Sequence, residues 1–312
     1  MKEELKQQII ESAKAYATEH ALSQNDVAKQ SGVGSKYISD LWNGKWSTDA
    51  GNGKEVVISD KYFLKLAEFC GIKVKKEYWE TRVTPQLKRI ISTLEVAKES
   101  GTTNIIIGET GCGKTYVCDL FRRKHPADMW VITVMQTDTI RDIIERILDA
   151  LKINTSVKSS SAKLKHIIVY LQDLRKEGKR PMLLFDECEY MKQPALCAMK
   201  SLYDNLKDVC SIVMVGTDQL ITHLDQLKRR NKDGMPQFCR RIKIGTRHLD
   251  PIDRRFNEFL GDIEDRELVK FLREYCENYG ELHDVMVLAK REAEITGSPL
   301  TVDFMKAVLN LK

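Results

Sequence analysis

Between residues 104 and 244 the chain alternates short apolar runs with longer amphipathic stretches. The apolar runs predict strands at Asn104–Ile107, Trp130–Met135, Met182–Phe185, Ser211–Val215 and Arg241–Ile244. Helices are expected near 114–124, 138–151, 162–177, 193–207 and 218–229. Such alternation specifies a parallel sheet covered by helices on both faces, because each strand must bury both of its sides. Residues 251–312 carry no strand pattern. Phe256, Phe259, Leu260, Leu268, Phe271, Leu272 and Tyr275 fall at helical spacing and predict a small helical lid.

The first seventy residues read differently. Residues 1–19 predict an amphipathic helix, and Ser23 with Asp26 forms a capping pair for a second helix over 24–30. A tight turn at Ser31-Gly32-Val33-Gly34 leads to a third helix from Ser35. Val27, Ala28, Val33, Ile38 and Leu41 can share one small core, leaving Ser35, Lys36, Tyr37 and Ser39 outward. That pattern predicts a helix-turn-helix, whose second helix can enter a major groove by its N-terminal residues. Residues 46–58 read as a Gly-rich loop and 59–71 as a further helix. The expected division is a helix-turn-helix domain over 1–75, a linker over 76–85, an α/β ATPase domain over 86–248 and the lid over 249–312.

Charge adds one qualification. The net charge is +5, yet residues 251–312 carry −4, which leaves about +9 on residues 1–250. A basic surplus on the first 250 residues suits an anionic polymer. No apolar run reaches the length of a membrane span, about 18 residues, and the N-terminus lacks the apolar core of a secretion signal. The eight cysteines are scattered and form no C-x-x-C pair. Reduced thiols in a cytoplasm are the expectation.

The chemistry begins at Gly108-Glu109-Thr110-Gly111-Cys112-Gly113-Lys114-Thr115, between a predicted strand and a predicted helix that continues through Tyr116. This is the full P-loop pattern. Its glycines let backbone N–H groups converge on phosphate oxygens at a helix N-terminus. Lys114 is then placed for the β- and γ-phosphates and Thr115 for Mg²⁺. The strand Met182–Phe185 runs into Asp186-Glu187, a Walker B arrangement in which Asp186 holds Mg²⁺ and Glu187 orients the attacking water. Ser211–Val215 ends in Gly216-Thr217-Asp218, where Thr217 or Asp218 can contact the γ-phosphate or the water. A GTPase carries D-x-x-G and N-K-x-D, and Asn231-Lys232-Asp233-Gly234 fails that spacing, so ATP is the expected nucleotide.

The order of P-loop, Asp-Glu strand, polar-ended strand and helical lid resembles the AAA+ ATPases. The resemblance covers about residues 85–312 and implies a five-stranded parallel sheet, with the third motif's strand between the first two. It also implies an arginine supplied across a subunit boundary, at Arg240 or Arg241. Such a finger is worth about 10³–10⁵ in rate. AAA+ lids often carry an arginine in a Gly-x-x-Arg context. Here the matching stretch, Gly297-Ser298-Pro299-Leu300-Thr301, has no arginine.

With its N-terminal Val27-Ala28-x-x-Ser31-Gly32-Val33-x-x-x-Tyr37-Ile38-Ser39 and Phe238-x-Arg240, the chain is similar to the phage Mu transposition protein B family. TnsC- and IstB-type target-selection ATPases are related to that family. The likeness implies ATP-bound subunits that self-assemble into a filament on double-stranded DNA and stimulate a transposase. Lys158, Lys163 and Lys165 would face that DNA. Thr137, Asp138 and Thr139 would lie near the same edge, and Lys228, Arg229, Arg230 and Lys232 form a second basic cluster. Two other readings remain: an operator-reading transcription regulator, and a replication ATPase of the helicase-loader kind.

Overall fold

The computed structural model describes residues 3–49, 55–71 and 78–311. The chain divides into two compact units, Met1–Glu77 and Tyr78–Lys312. The expected boundary between residues 75 and 76 lies outside the described residues.

In the first unit, α1 (Glu3–Glu19), α2 (Gln24–Ser31), α3 (Ser35–Trp42) and α4 (Asp60–Phe69) surround one core. Ile9, Val27, Val33, Ile38, Leu41, Phe63 and Leu66 are buried in it. Ser23 and Asp26 form the predicted capping box at the start of α2. Gly32 ends α2 in the left-handed conformation at φ 65°, which a side chain would strain. The loop expected over 46–58 is instead partly sheet: β1 (Ser47–Asp49) pairs antiparallel with β2 (Glu55–Val57). The apolar pair Val56-Val57 was outweighed by its glycine-rich surroundings in the sequence, yet three residues suffice for the ladder.

The second unit opens with α5 (Pro85–Ser100), capped by Thr84 and started by Pro85 at its first position. The sheet then forms from β3 (Thr103–Ile107), β4 (Met129–Thr133), β5 (Met182–Asp186), β6 (Ser211–Gly216) and β7 (Thr246–His248). All pairings are parallel, in the order β4-β5-β6-β3-β7. The strand of the third motif therefore lies between those of the first two. The crossovers are α6 (Lys114–Lys124), α7 (Ile140–Leu151), α8 (Ser160–Lys176), α9 (Gln193–Leu206), α10 (Asp218–Arg229) and α11 (Met235–Ile242).

Alternate strand residues feed two cores. Ile105, Ile107, Leu183, Phe185, Ile212 and Met214 face one side, with α7 to α11. Ile106, Met182, Leu184, Val213 and Val215 face the other, with α5 and α6. Both faces being apolar explains why these strands read as continuous hydrophobic runs.

The fifth strand required correction. Arg241–Ile244, expected as strand, is the end of α11 followed by a 3-10 turn at Lys243–Gly245, and the strand is Thr246–His248. Phe238 and Ile242, four apart, bury the same helical face in the core, so helical periodicity won over the short apolar run.

The remaining helices are α12 (Asn257–Leu260), α13 (Arg266–Tyr275), α14 (Tyr279–Thr296) and α15 (Val302–Val308). They pack Phe256, Leu260, Leu268, Leu272, Leu282 and Met305 into a separate core. Among the described residues, no helix is long and apolar enough to cross a membrane.

Phe238 fixes α11, the helix that carries both candidate finger arginines. Phe238→Ala is expected to cost about 3–5 kcal/mol, read by chemical denaturation.

Candidate nucleotide site

Parallel pairing brings the C-terminal ends of β3, β5 and β6 to one edge of the sheet. Gly108 N–H donates to Gly216 O at 3.2 Å, so the P-loop starts beside the end of β6. Gly111 at φ 75° and Gly113 at φ 90° turn the chain into α6. A cavity of about 570 Å³ opens there. Thr110 to Val117 line one wall, Glu187, Glu189 and Thr217 another.

Within this cavity the predicted groups meet. Lys114 Nζ donates to Gly108 O at 2.9 Å and Glu109 O at 2.8 Å, folding over the loop whose phosphate it would hold. Thr115 Oγ1 donates to Asp186 Oδ2 at 2.7 Å. Asp186 is buried, and its Oδ1 accepts from Glu187 N–H at 3.0 Å. A hydroxyl and a carboxylate this close form the hard-oxygen pair that Mg²⁺ takes together with nucleotide phosphates. Glu187 adopts φ 59°, an unusual left-handed turn for a non-glycine residue, and its side chain faces the cavity. Burial raises the Glu187 carboxyl above the usual range, and the charges of Glu189 and Asp186 add to this, with Lys114 opposing.

Thr217 lines the cavity and Asp218 does not; Asp218 is largely exposed, 3.8 Å from His248. The two residues differ because β6 ends at Gly216 and Asp218 already begins α10.

The helices after β7 border the opposite side. Gly280 N–H donates to Gly111 O at 3.1 Å. A Cβ on Gly111 would lie 2.2 Å from Asn278 Oδ1, so only glycine permits this approach. Cys112 is buried in the lid core, and that burial pushes its thiol up. Tyr116 is exposed, with its hydroxyl bonded to Thr81. Thr301 does not line the cavity; it caps α15, its Oγ1 accepting from Phe304 N–H. The residues after β7 that do are Phe259, Tyr279, Gly280 and His283.

Several lining residues escaped the sequence reading. Trp79 stacks on Phe259 with centroids 4.8 Å apart and meets His283 edge-on at 5.2 Å. Arg82 pairs with Asp262 at 2.6 Å. Glu189 accepts from Thr217 Oγ1 at 2.9 Å. An aromatic residue ahead of Pro85 was the available signal for Trp79, and an acid one turn past Asp186 the signal for Glu189.

The arginines separate. Arg241 Nη2 pairs with Asp204 at 2.9 Å, and its guanidinium lies 5.7 Å from the Tyr203 ring centre. Arg240 is exposed. Neither lines the cavity of its own chain. Of the basic candidates, Lys158 and Lys165 are exposed, whereas Lys163 is bonded to Glu145 and mostly covered. Asp138 is turned inward instead of toward an open edge: it is buried and accepts from Met135 N–H and Arg146. Thr139 caps α7. Lys228, Arg229, Arg230 and Lys232 are exposed around the end of α10. In the first unit Ser35 and Lys36 are exposed, but Tyr37 is half-buried and stacks on Tyr62 at 4.5 Å, so it is not fully outward. An aromatic ring at that position gains more from apolar cover than from water.

This architecture is an α/β P-loop fold of the AAA type, and residues 98–224 match the family model described as AAA domain. The chain resembles transposition protein B: it is 21% identical over 218 residues to the Mu-like prophage FluMu DNA transposition protein B of Haemophilus influenzae, covering 69% of this chain and 71% of that one. Two solved structures share the fold. The ORC2 protein of Aeropyrum pernix aligns with TM-score 0.54 and 16% identity over 75% of this chain and 70% of its own. Cdc6p of Pyrobaculum aerophilum gives 0.56 and 14% over 72% and 66%.

The Gly111 contact yields a test. Gly111→Ala is expected to cost about 1–3 kcal/mol through its left-handed φ and the clash with Asn278. Hydrogen exchange at the first turn of α14 should rise with it.

Proposed function

We propose that this chain is an ATP-dependent DNA-binding protein that assembles on double-stranded DNA with little sequence preference and presents that DNA to a transposase. The observation that carries the reading is the meeting of Lys114, Thr115, Asp186, Glu187 and Thr217 at one cavity, in a chain similar to a DNA transposition protein.

In this reading Gly108 to Tyr116 hold the nucleotide, with Thr115 and Asp186 placed for Mg²⁺. Glu187 orients the attacking water, and Thr217 sits beside it. Arg240, exposed near the end of α11, supplies the finger to a neighbouring copy, while Arg241 is committed to Asp204 and Tyr203 within its own chain. Phosphate contacts come from Lys158 and Lys165, whose ammonium groups are open to solvent. Lys163 would contribute only by leaving Glu145. α2 and α3 act as a helix-turn-helix that adds DNA affinity through Ser35 and Lys36. The helices after β7 act as the lid. A replication ATPase of the loader kind would use a similar core, as the likeness to ORC2 and Cdc6p allows. Assembly on random-sequence duplex separates the two.

Electron microscopy with such duplex should reveal filaments with ATP or a non-hydrolysed analogue and none with ADP. Binding to one specific site without oligomers would refute the reading. Glu187→Gln should slow hydrolysis by about 10²–10⁴-fold and trap the assembly on DNA. Substituting Lys158 and Lys165 together should weaken binding to all sequences alike and reduce the salt slope by about 2.

A further inference from the structure

The geometry points to Glu189 as a positioning residue for ATP hydrolysis, one that fixes the polarity of the Thr217 hydroxyl. The inference rests on the ATPase reading above and concerns the same site.

Thr217 has a single O–H proton and two lone pairs. Its proton goes to Glu189 Oε1 at 2.9 Å. With the proton engaged there, Thr217 can only accept toward the cavity that both residues line. An accepting hydroxyl repels the anionic γ-phosphate oxygens but takes a hydrogen bond from a water. Glu189 therefore turns Thr217 from a phosphate contact into a second anchor for the attacking water, alongside Glu187. A water that donates its two protons to these two acceptors keeps both lone pairs free on the side away from them, where one can attack phosphorus.

Two observations show that this carboxylate is held in place at a cost. Glu189 Oε2 is buried and has no hydrogen-bond partner, a situation folded proteins seldom tolerate without a function. It also fills the space left open at Gly216, where a Cβ would lie 2.7 Å from that oxygen and displace it. Glu189 also sits on the 3-10 turn Cys188–Tyr190, which Glu187 enters at φ 59°, so both acids are set by one bend. Cys188 anchors the bend in the core, its Sγ donating to Phe185 O.

The test separates binding from turnover. For Glu189→Ala, kcat of DNA-stimulated hydrolysis is expected to fall about tenfold to a hundredfold. The Kd for a non-hydrolysed ATP analogue should stay unchanged or tighten, since a freed Thr217 hydroxyl can donate to phosphate. Glu189→Gln keeps an acceptor oxygen and should retain most of kcat, as should Thr217→Ser. Thr217→Val should resemble Glu189→Ala, and the double variant should fall no further than either alone. Gly216→Ala, which crowds Glu189 without altering it, should reproduce the loss. If wild type hydrolyses ATP and Glu189→Ala remains within about twofold of it, or the double variant is additive, the inference is overturned and the ATPase reading stands. If Glu189→Gln falls as far as Glu189→Ala, charge matters and polarity does not, which also overturns it. A wild type that binds but never hydrolyses ATP removes both.

Discussion

The position of β6 between β3 and β5 is the constraint on which the site depends. Parallel strands about 4.8 Å apart deliver their C-terminal ends to a common edge, so the P-loop, Asp186 and Thr217 become neighbours although over a hundred residues separate the first from the last. The price of that arrangement is burial of both faces of each central strand. The sequence meets it with alternating side chains for two cores, Ile105 and Ile107 against Ile106, Leu183 and Phe185 against Leu184. Helices on both faces are then obligatory. The polar groups cluster where the strands stop because the strands themselves have no room for them.

A second constraint joins the P-loop to the lid. Gly111 and Cys112 occupy the variable positions of the motif, yet here they are the contact points with α14 and the lid core. Gly280 donates its N–H to Gly111, and the missing side chain at Gly111 admits Asn278. The helices after β7 thus meet the P-loop through Gly111 and Cys112 and not through Thr301, which caps α15. The same cavity takes Trp79, Arg82 and Thr84 from the segment preceding α5, so three parts of the unit converge on one volume.

The α/β unit was legible wherever burial writes a pattern. β3, β5 and β6 and helices α6 and α10 fall within a residue of their expected bounds, because fully apolar strands and amphipathic crossovers leave strong periodicities. β7 was misplaced because it is an edge strand of three half-exposed residues, Thr246-Arg247-His248, with no apolar signature. β1 and β2 are similarly short, and β2 is exposed throughout. The P-loop end of the cavity was legible because its elements are local, a strand, a loop and a helix in succession. The opposite end was not. Trp79, Phe259 and His283 lie far apart in sequence and meet only through tertiary packing. The separation of Arg240 from Arg241 was equally hidden, since adjacent arginines look alike until Asp204 and Tyr203 are brought beside one of them.

That separation bears on how the site would be completed. Arg241 Nη1 is buried without a partner, so this guanidinium is already held at some cost on the face shared by α9 and α11. Releasing it to reach a second nucleotide would leave Asp204 only its 3.8 Å pairing with Lys200. Arg240 carries no such penalty, because its charge is already in water. A cation that is to be desolvated only on meeting a phosphate is best kept solvated until then. The free energy of pairing is then available to association and is not spent on breaking an internal contact. In the proposed assembly Arg240 would therefore be the arginine offered to a neighbouring nucleotide, while Arg241 would stay paired with Asp204 on α9.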